Sequence, residues 1–375
     1  MDILASVARY EDDLRAQMGR EVLQEGLDEK HRKMAGRDPF PFLRATFWRW
    51  AETVLEVAPD LGSAPAVLAV GDVHLENFGT WRDLDGRLVW GVNDYDEAAA
   101  MPYPLDLLRL AVSGLLAGGE RGAAAIARDI LAGYAAGLEA PGAAVLDRER
   151  RGLRETVMVP EGHRAEFWNG LRKKREAFEA RPKRGRPKLW PRYETALRTA
   201  MPPGAEPSRF WYRGAGVGSL GRPRWVAEAE WAGDLVIREA KGVVPSAWAR
   251  AHGGGHALRC MEIATGRFRA PDPWYRVANG IAVRRLSPNN RKIEAGEVFP
   301  SARTGARRMG REVLVGAPML RAMGAELAAI HLGGEGAREA IRRHLRAQRG
   351  GWLGRMAAAA AAMVEEEHRT FRRGR

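Results

Sequence analysis

The sequence predicts an α+β fold in two lobes. Apolar residues recur at helical spacing in the first 57 residues and again from about Arg303 to the end. Between them lie a small mixed unit around residues 66–92 and a β-rich segment that starts at Arg209. Helices and strands that segregate along a chain in this way form α+β architectures rather than alternating βαβ layers.

The elements follow in order. Phe42, Leu43, Phe47, Trp50 and Val54 make an apolar stripe of helical period. Ala66–Val70 reads as a short buried strand, followed by a polar loop from Gly71 to Gly79. Leu88–Val92 is a second strand, entered through the Asp85-Gly86 turn signal. Leu105–Leu116 and Ala123–Gly137, rich in Ala and Leu, read as helices. Residues 150–208 cluster Arg, Lys and Pro without a clear period and read as a linker or insertion. Arg209–Tyr212, Arg224–Trp231 and Leu235–Ala240 read as strands, Ala257–Thr265 as a helix and Ile281–Leu286 as a further strand. Met319–His331 and the alanine run Ala357–Ala362 belong to the closing helices. The divisions are 1–150, 151–208, 209–290 and 291–375.

Composition excludes several classes. Hydrophobic residues make up 45% of the 375, too many for a disordered or fibrous chain. Cys260 is the single cysteine, so there is no internal disulfide and a Cys-ligated zinc site is disfavoured. The N-terminal residues carry Asp2, Glu11, Asp12 and Asp13 and no apolar signal core, and the apolar run Met356–Val364 is too short to span a bilayer. The expectation is a cytoplasmic protein without a membrane partner. The net charge of +13 attracts polyanions. Much of it is local, since nine basic and two acidic residues lie between Arg172 and Lys188.

Three segments invite a chemical reading. Gly71-Asp72-Val73-His74-Leu75-Glu76-Asn77 follows a buried strand, so Asp72 and Asn77 can point at one spot, the Asp to orient or deprotonate a hydroxyl and the Asn oxygen to ligate a metal. Asn93-Asp94-Tyr95-Asp96-Glu97 places carboxylates at the end of the next strand, which suits Mg²⁺ with its hard oxygen ligands. Read alone, either motif is a capped turn with exposed acids. Gly214-Ala215-Gly216-Val217-Gly218-Ser219-Leu220-Gly221 contains G-x-G-x-x-G. A strand, not a helix, follows it, which argues against a dinucleotide fingerprint and for a loop joining two strands over phosphates. Its plain reading is a flexible hairpin. Arg238 or Lys241 on the third strand could supply a cation, and Glu262 could pair with it. Strand alternation sends Arg238 and Lys241 to opposite faces, so only one can reach a phosphate.

Gly71–Asn77 followed by Asp94 resembles the catalytic and metal loops of aminoglycoside phosphotransferases and choline kinases, of the protein-kinase-like superfamily. Those enzymes continue into a helix that opens with an Asp-Leu pair, matched here by Asp106-Leu107. The chain from about residue 25 to 335, including Phe42-Leu43-Arg44 and Arg238-Glu239-Ala240-Lys241, resembles the bacterial domain of unknown function 2252. The kinase resemblance implies a two-lobed kinase-like fold that is circularly permuted, because the glycine-rich lobe here follows the catalytic loop instead of preceding it. It implies ATP and Mg²⁺ as cofactors and a phosphotransferase acting on an unidentified hydroxyl or amine. Asp72 would be the catalytic base, and Asn77, Asp94 and Asp96 the metal set, although Asp96 stands where the superfamily often has Gly. Gly214, Gly216, Gly218, Ser219 and Gly221 would hold the nucleotide, with Arg238 or Lys241 on its phosphates; Lys241 is preferred because kinases use Lys there. His74 and Asp106 would support the loop, His74 by hydrogen-bonding it in place.

Two alternatives stand beside this reading: nucleotidyl transfer on the same fold, and an inactive nucleotide-binding or DNA-binding regulator. Arg184-Gly185-Arg186-Pro187 looks like an AT-hook core, but a solvated basic linker is the preferred reading, so nucleic-acid binding is expected to be non-specific. His252 and His256 flank three glycines and are read as loop residues without a ligand role. Trp211, Trp225 and Trp231 are assigned to packing before a nucleobase platform.

Overall fold

The computed structural model describes residues 2–147, 150–158, 161–300, 307–334 and 336–374. The fold is mixed α+β with several separate sheets. Four helices, Ile3–Met18, Gln24–Met34, Pro39–Ala45 and Phe47–Val57, open the chain. Asp2 caps the first by accepting from the Ala5 amide at 2.8 Å, and Asp38 caps the third, with Pro39 at the first helical position. Phe42, Leu43, Phe47, Trp50 and Val54 are all buried, as their spacing requires.

The small mixed unit is two antiparallel pieces. Strand Ala66–Ala69 pairs with Ala99–Pro102, and Phe78–Arg82 pairs with Leu88–Val92, which also holds the short strand Ala144–Val145. The strand Phe78–Arg82 corrects the reading of a loop running to Gly79. A single 3₁₀ turn, Leu75–Asn77, ends the loop, and pairing begins at Phe78.

Helices Pro104–Leu116, Ala123–Glu139, Ala317–His331 and Trp352–Arg373 pack behind this unit in the larger of the main hydrophobic clusters. Two of them touch backbone to backbone. A Cβ at Gly133 would fall 1.9 Å from the Arg321 carbonyl oxygen, and one at Gly324 would fall 2.2 Å from that of Ile130. Only glycine permits that approach.

The β-rich segment is one five-stranded antiparallel sheet in the spatial order Arg209–Tyr212, Arg224–Trp231, Asp234–Gly242, Ile281–Arg285, Arg276–Ala278. Trp211, Trp225, Val226, Ile237, Ala240 and Val283 form a second core on it. Trp211 and Trp225 are therefore packing residues, while Trp231 is exposed.

Residues 150–208 depart most from expectation. They form helices Arg151–Val157, Glu161–Glu179 and Pro191–Thr199. Leu171, Phe178, Tyr193 and Leu197 from the last two are buried against the sheet. This segment is part of the second core, not a linker. Its apolar positions are few and lie among many charges, so the helical period is diluted. The helix expected over Ala257–Thr265 shrinks to Cys260–Ala264 behind the Gly253–Gly255 run.

Candidate functional site

The loop after Ala66–Ala69 is held from behind. Gly71 turns with φ of +82°, and a Cβ there would lie 2.4 Å from the Glu97 carbonyl oxygen. The buried Asp106 carboxylate accepts the Val70 amide at 2.8 Å and the Gly71 amide at 2.9 Å. It also faces His331 Nε2 at 3.1 Å, and His331 Nδ1 lies 2.9 Å from the Tyr134 hydroxyl. Asp106 thus braces the loop, the supporting role expected of it.

Asp72 points forward into the cleft. Its Oδ1 accepts from Arg109 at 2.5 and 3.1 Å, and Arg109 is fully buried, donates to the Leu43 carbonyl at 2.8 Å and lies over the rings of Phe47 and Trp50. Asn77 ties the two acidic loops together, since Nδ2 donates to the carbonyls of Asp72 at 3.0 Å and Asp94 at 3.1 Å. Its Oδ1 is buried on the cleft wall without a hydrogen-bond partner among the described residues. His74 is buried there too. Burial first, then the charges of Arg44, Lys292 and Arg109, hold its pKa well below the ordinary histidine value, so the ring is neutral. Its Nδ1 has no partner among the described residues, so that atom does not brace the loop as expected; Asn77 does.

Asp94 and Asp96 share one cation. Lys241 Nζ lies 3.1 Å from Asp94 and 2.7 Å from Asp96. Burial alone would raise the Asp94 pKa, but Lys241, Lys292, Arg284 and Arg224 outweigh it and keep the carboxylate well below its usual range. Asp96 moves the other way, raised by burial and by Asp94 despite Lys241. Asp96 also faces Arg222 at 3.3 Å, so two cations already occupy it and it leaves the candidate metal set. Asp94 keeps about a third of its side chain exposed to the cleft.

The glycine loop closes the other side. Gly216, Gly218 and Ser219 line the cleft with Asp72, Asn77 and Asp94. A Cβ at Gly218 would sit 3.5 Å from Asp72 Oδ2 and 3.1 Å from the Arg44 carbonyl oxygen, so the loop passes directly over the first motif. Lys30, buried under the loop, donates to the Gly218 carbonyl at 2.9 Å and the Tyr10 hydroxyl at 3.1 Å. Gly214 and Gly221 do not share this place. Gly214 lines a separate cavity with Lys174 and Arg181, and Gly221, at φ of +93°, lies against Leu27.

Two further expectations are corrected. Arg238 points away from the cleft, donating to the Ala200 carbonyl at 2.9 Å and lying 4.1 Å over the Trp274 ring, because alternation sends it to the face opposite Lys241. Glu262 is half-exposed and pairs with Arg259 at 2.6 Å instead of with Lys241, since Cys260 and Ile263 take the inward face of its helix.

The sequence reading missed Tyr10, Arg44, Trp48, Arg109, Arg222 and Lys292. Arg109 had a signal, a charge one turn after Asp106 in an otherwise apolar helix. Lys292 had none. Among the described residues no group of three or more His, Cys, Asp or Glu side chains is placed to hold a metal ion. A cation in this cleft would rest on Asn77 Oδ1, Asp94 and water, and the unpartnered buried Asn77 oxygen fits that donor set.

Comparison with known proteins touches one side of this cleft. Residues 22–156 match the family described as an uncharacterized protein conserved in bacteria, DUF2252. The match takes in Asp72, His74, Asn77, Asp94, Asp96 and Asp106 and ends before the glycine loop, so it is shorter than the resemblance read from the sequence. No curated protein and no solved structure matches the chain. No described helix is long and apolar enough to cross a membrane.

Proposed function

We propose that the cleft binds ATP with Mg²⁺ and transfers a phosphoryl group to a hydroxyl or amine acceptor, on a kinase-like arrangement whose two halves occur in permuted order. One observation carries the reading: Asp72, Asn77 and Asp94 line the same cleft as Gly216, Gly218 and Ser219, from distant parts of the chain. The glycine loop joins the first two strands of the antiparallel sheet and Lys241 lies on the third, as in kinase nucleotide lobes.

In this reading the loop amides approach the phosphates where no side chain intervenes. Asn77 and Asp94 would hold Mg²⁺, which would supply charge neutralisation for the phosphates. Lys241 keeps Asp94 ionised and oriented. Asp72 Oδ2, left open while Oδ1 is bound by Arg109, orients the acceptor hydroxyl or takes its proton.

A second reading, an inactive nucleotide binder, is favoured by that same Arg109 pair, because it already occupies one of the two Asp72 carboxylate oxygens. Two measurements separate them. Calorimetric titration of the full chain with Mg-ATP tests binding, and phosphate release or transfer from γ-labelled ATP tests turnover. Asp94→Asn is expected to lower turnover by at least about a hundredfold with the fold retained. Wild-type protein that binds Mg-ATP without turnover supports the binder, and absence of binding ends both readings.

A further inference from the structure

Lys241, the expected phosphate cation, is already used. Its ammonium touches two carboxylates, and its side chain is 7% exposed. Lys292 is in the opposite condition. It lines the cleft beside Asp72, Asn77 and Asp94, and it also lines a second, larger cavity of about 270 Å³ walled by Asn93, Tyr95, Tyr275 and Arg284. Among the described residues its ammonium makes no hydrogen bond or ion pair. It is the lining residue that the two cavities share.

The backbone fixes it there. Lys292 forms a bridge with Gly79, and a Cβ at Gly79 would come within 3.1 Å of the Lys292 Cγ. The Thr80 amide donates to the Arg291 carbonyl at 2.9 Å beside it. Around Lys292 lie other groups that lack partners among the described residues. Arg44 has a buried Nε with no acceptor, although its Nη1 is paired with Glu76, and the neutral His74 has its free Nδ1. Charges of Arg284, Arg44 and Lys241 crowd Lys292 from one sign and Asp94 answers from the other; burial first, with these cations, depresses its pKa to about 8. Unpaired buried donors are costly, and an incoming anion would satisfy several at once.

We infer that the ground around Lys292, on the lining shared by the two cavities, is an anion site for a phosphoryl group, with Lys292 as its principal cation and Arg44 Nε and His74 Nδ1 as further donors. The inference borrows from the phosphotransfer reading only the identity of the anion. The smaller cavity takes the charged end of a ligand, and the larger one, with the unpartnered Asn93 Oδ1, Asn290 Oδ1 and Tyr275 hydroxyl on its wall, takes the remainder.

The test uses inorganic tripolyphosphate and Mg-ATP as separate probes, titrated calorimetrically into the full chain. Lys292→Met is expected to weaken both by about 10- to 100-fold, and Lys292→Arg to restore affinity to within about fivefold of wild type. Limiting acetylation of the wild-type protein, read by mass spectrometry, is expected to modify Lys292 and to be blocked by tripolyphosphate; this measurement stands even where Lys292→Met fails to fold. Unchanged binding in Lys292→Met, or acetylation of Lys292 that tripolyphosphate does not block, overturns the anion site. Wild-type binding of tripolyphosphate through Lys292 without binding of Mg-ATP keeps the site and removes the phosphotransfer reading. Mg-ATP binding that ignores Lys292 does the reverse, and no binding of either probe removes both.

Discussion

Each wall of the cleft is anchored by one buried carboxylate, and the two are anchored by different means. Asp106 holds the first wall by accepting backbone amides of Val70 and Gly71, so it fixes main-chain geometry. Glu239 holds the second by gathering guanidinium groups. Arg224 donates to it at 2.6 Å, Arg284 at 2.8 and 2.9 Å, and Arg213 also pairs with it. Arg284 stands directly opposite Glu239 in the strand register. The first wall is therefore set by hydrogen bonds between a side chain and the backbone. The second is set by side-chain charge among four strands or strand ends, with the glycine loop attached to it.

The difference predicts unequal sensitivity. Glu239→Gln leaves three guanidinium groups around one neutral amide and is expected to destabilise by about 3–5 kcal/mol in urea unfolding, the largest effect proposed. The same charge cluster has a pH signature. Burial raises the Glu239 pKa, but Arg224, Arg284 and Arg213 outweigh it and leave the group well below 4.5. A carboxylate depressed in the folded state contributes stability that is complete above its unfolded pKa and lost as pH falls through the folded one. The acid limb of the wild-type unfolding curve should therefore flatten in Glu239→Gln. An unchanged acid limb would mean the cluster does not act as a unit.

Asp106→Asn sets the first wall against this. The amide can accept one of the two backbone N–H groups but presents a donor to the other, for an expected cost of about 2–3 kcal/mol. Its loss should fall on Mg-ATP affinity as well, since the loop carrying Asp72 and Asn77 is displaced. Gly218→Ala is expected to cost less than about 1 kcal/mol of stability, because its new Cβ meets the Arg44 carbonyl oxygen at 3.1 Å and that neighbour must yield only slightly. Mg-ATP affinity should still drop, by about tenfold, if the loop amides contact phosphate. A stability loss equal to that of Asp106→Asn would show that both walls are backbone-fixed and end the comparison.

The first wall was also the legible one. Gly71–Asn77, Asp94 and Asp106 lie close in sequence and have motif spacing, and Asp106 is an acid in an apolar helix. Glu239 sits in the quoted Arg238–Lys241 segment, yet its role depends on Arg213, Arg224 and Arg284, which only the sheet brings together. Lys292 is further from reach, placed by pairing with Gly79 and Thr80 from a distant part of the chain. The helices of 150–208 were hidden for a different reason. Dense charge masked the spacing of Leu171 and Phe178, which share a core with Trp211 and Trp225 of another segment.

The smallest expected effect concerns the basic stretch at the end of the second of these helices and the turn that follows. Helix Glu161–Glu179 is followed, after residues 180–182, by the 3₁₀ turn Lys183–Gly185, and this region packs on the sheet side, away from the lining of the cleft. Arg186 is not extended as a minor-groove hook would be: its Nε donates to the Arg181 carbonyl at 2.9 Å, it bonds the Glu179 carbonyl, and its guanidinium lies over Phe178. Arg175 and Arg181 are likewise paired, with Glu228 and Glu25. Replacing Arg184 and Arg186 by Gln should leave Mg-ATP affinity unchanged and cost less than about 1 kcal/mol, since Arg184 is exposed and Arg186, half-buried, bonds only backbone carbonyls near the surface. DNA binding at low salt should weaken slightly and equally for A·T-rich and G·C-rich duplexes, because phosphate contacts carry no sequence information. An A·T preference at physiological salt that disappears in the double variant would require Arg186 to leave its three contacts, and would make this segment a binding element in its own right.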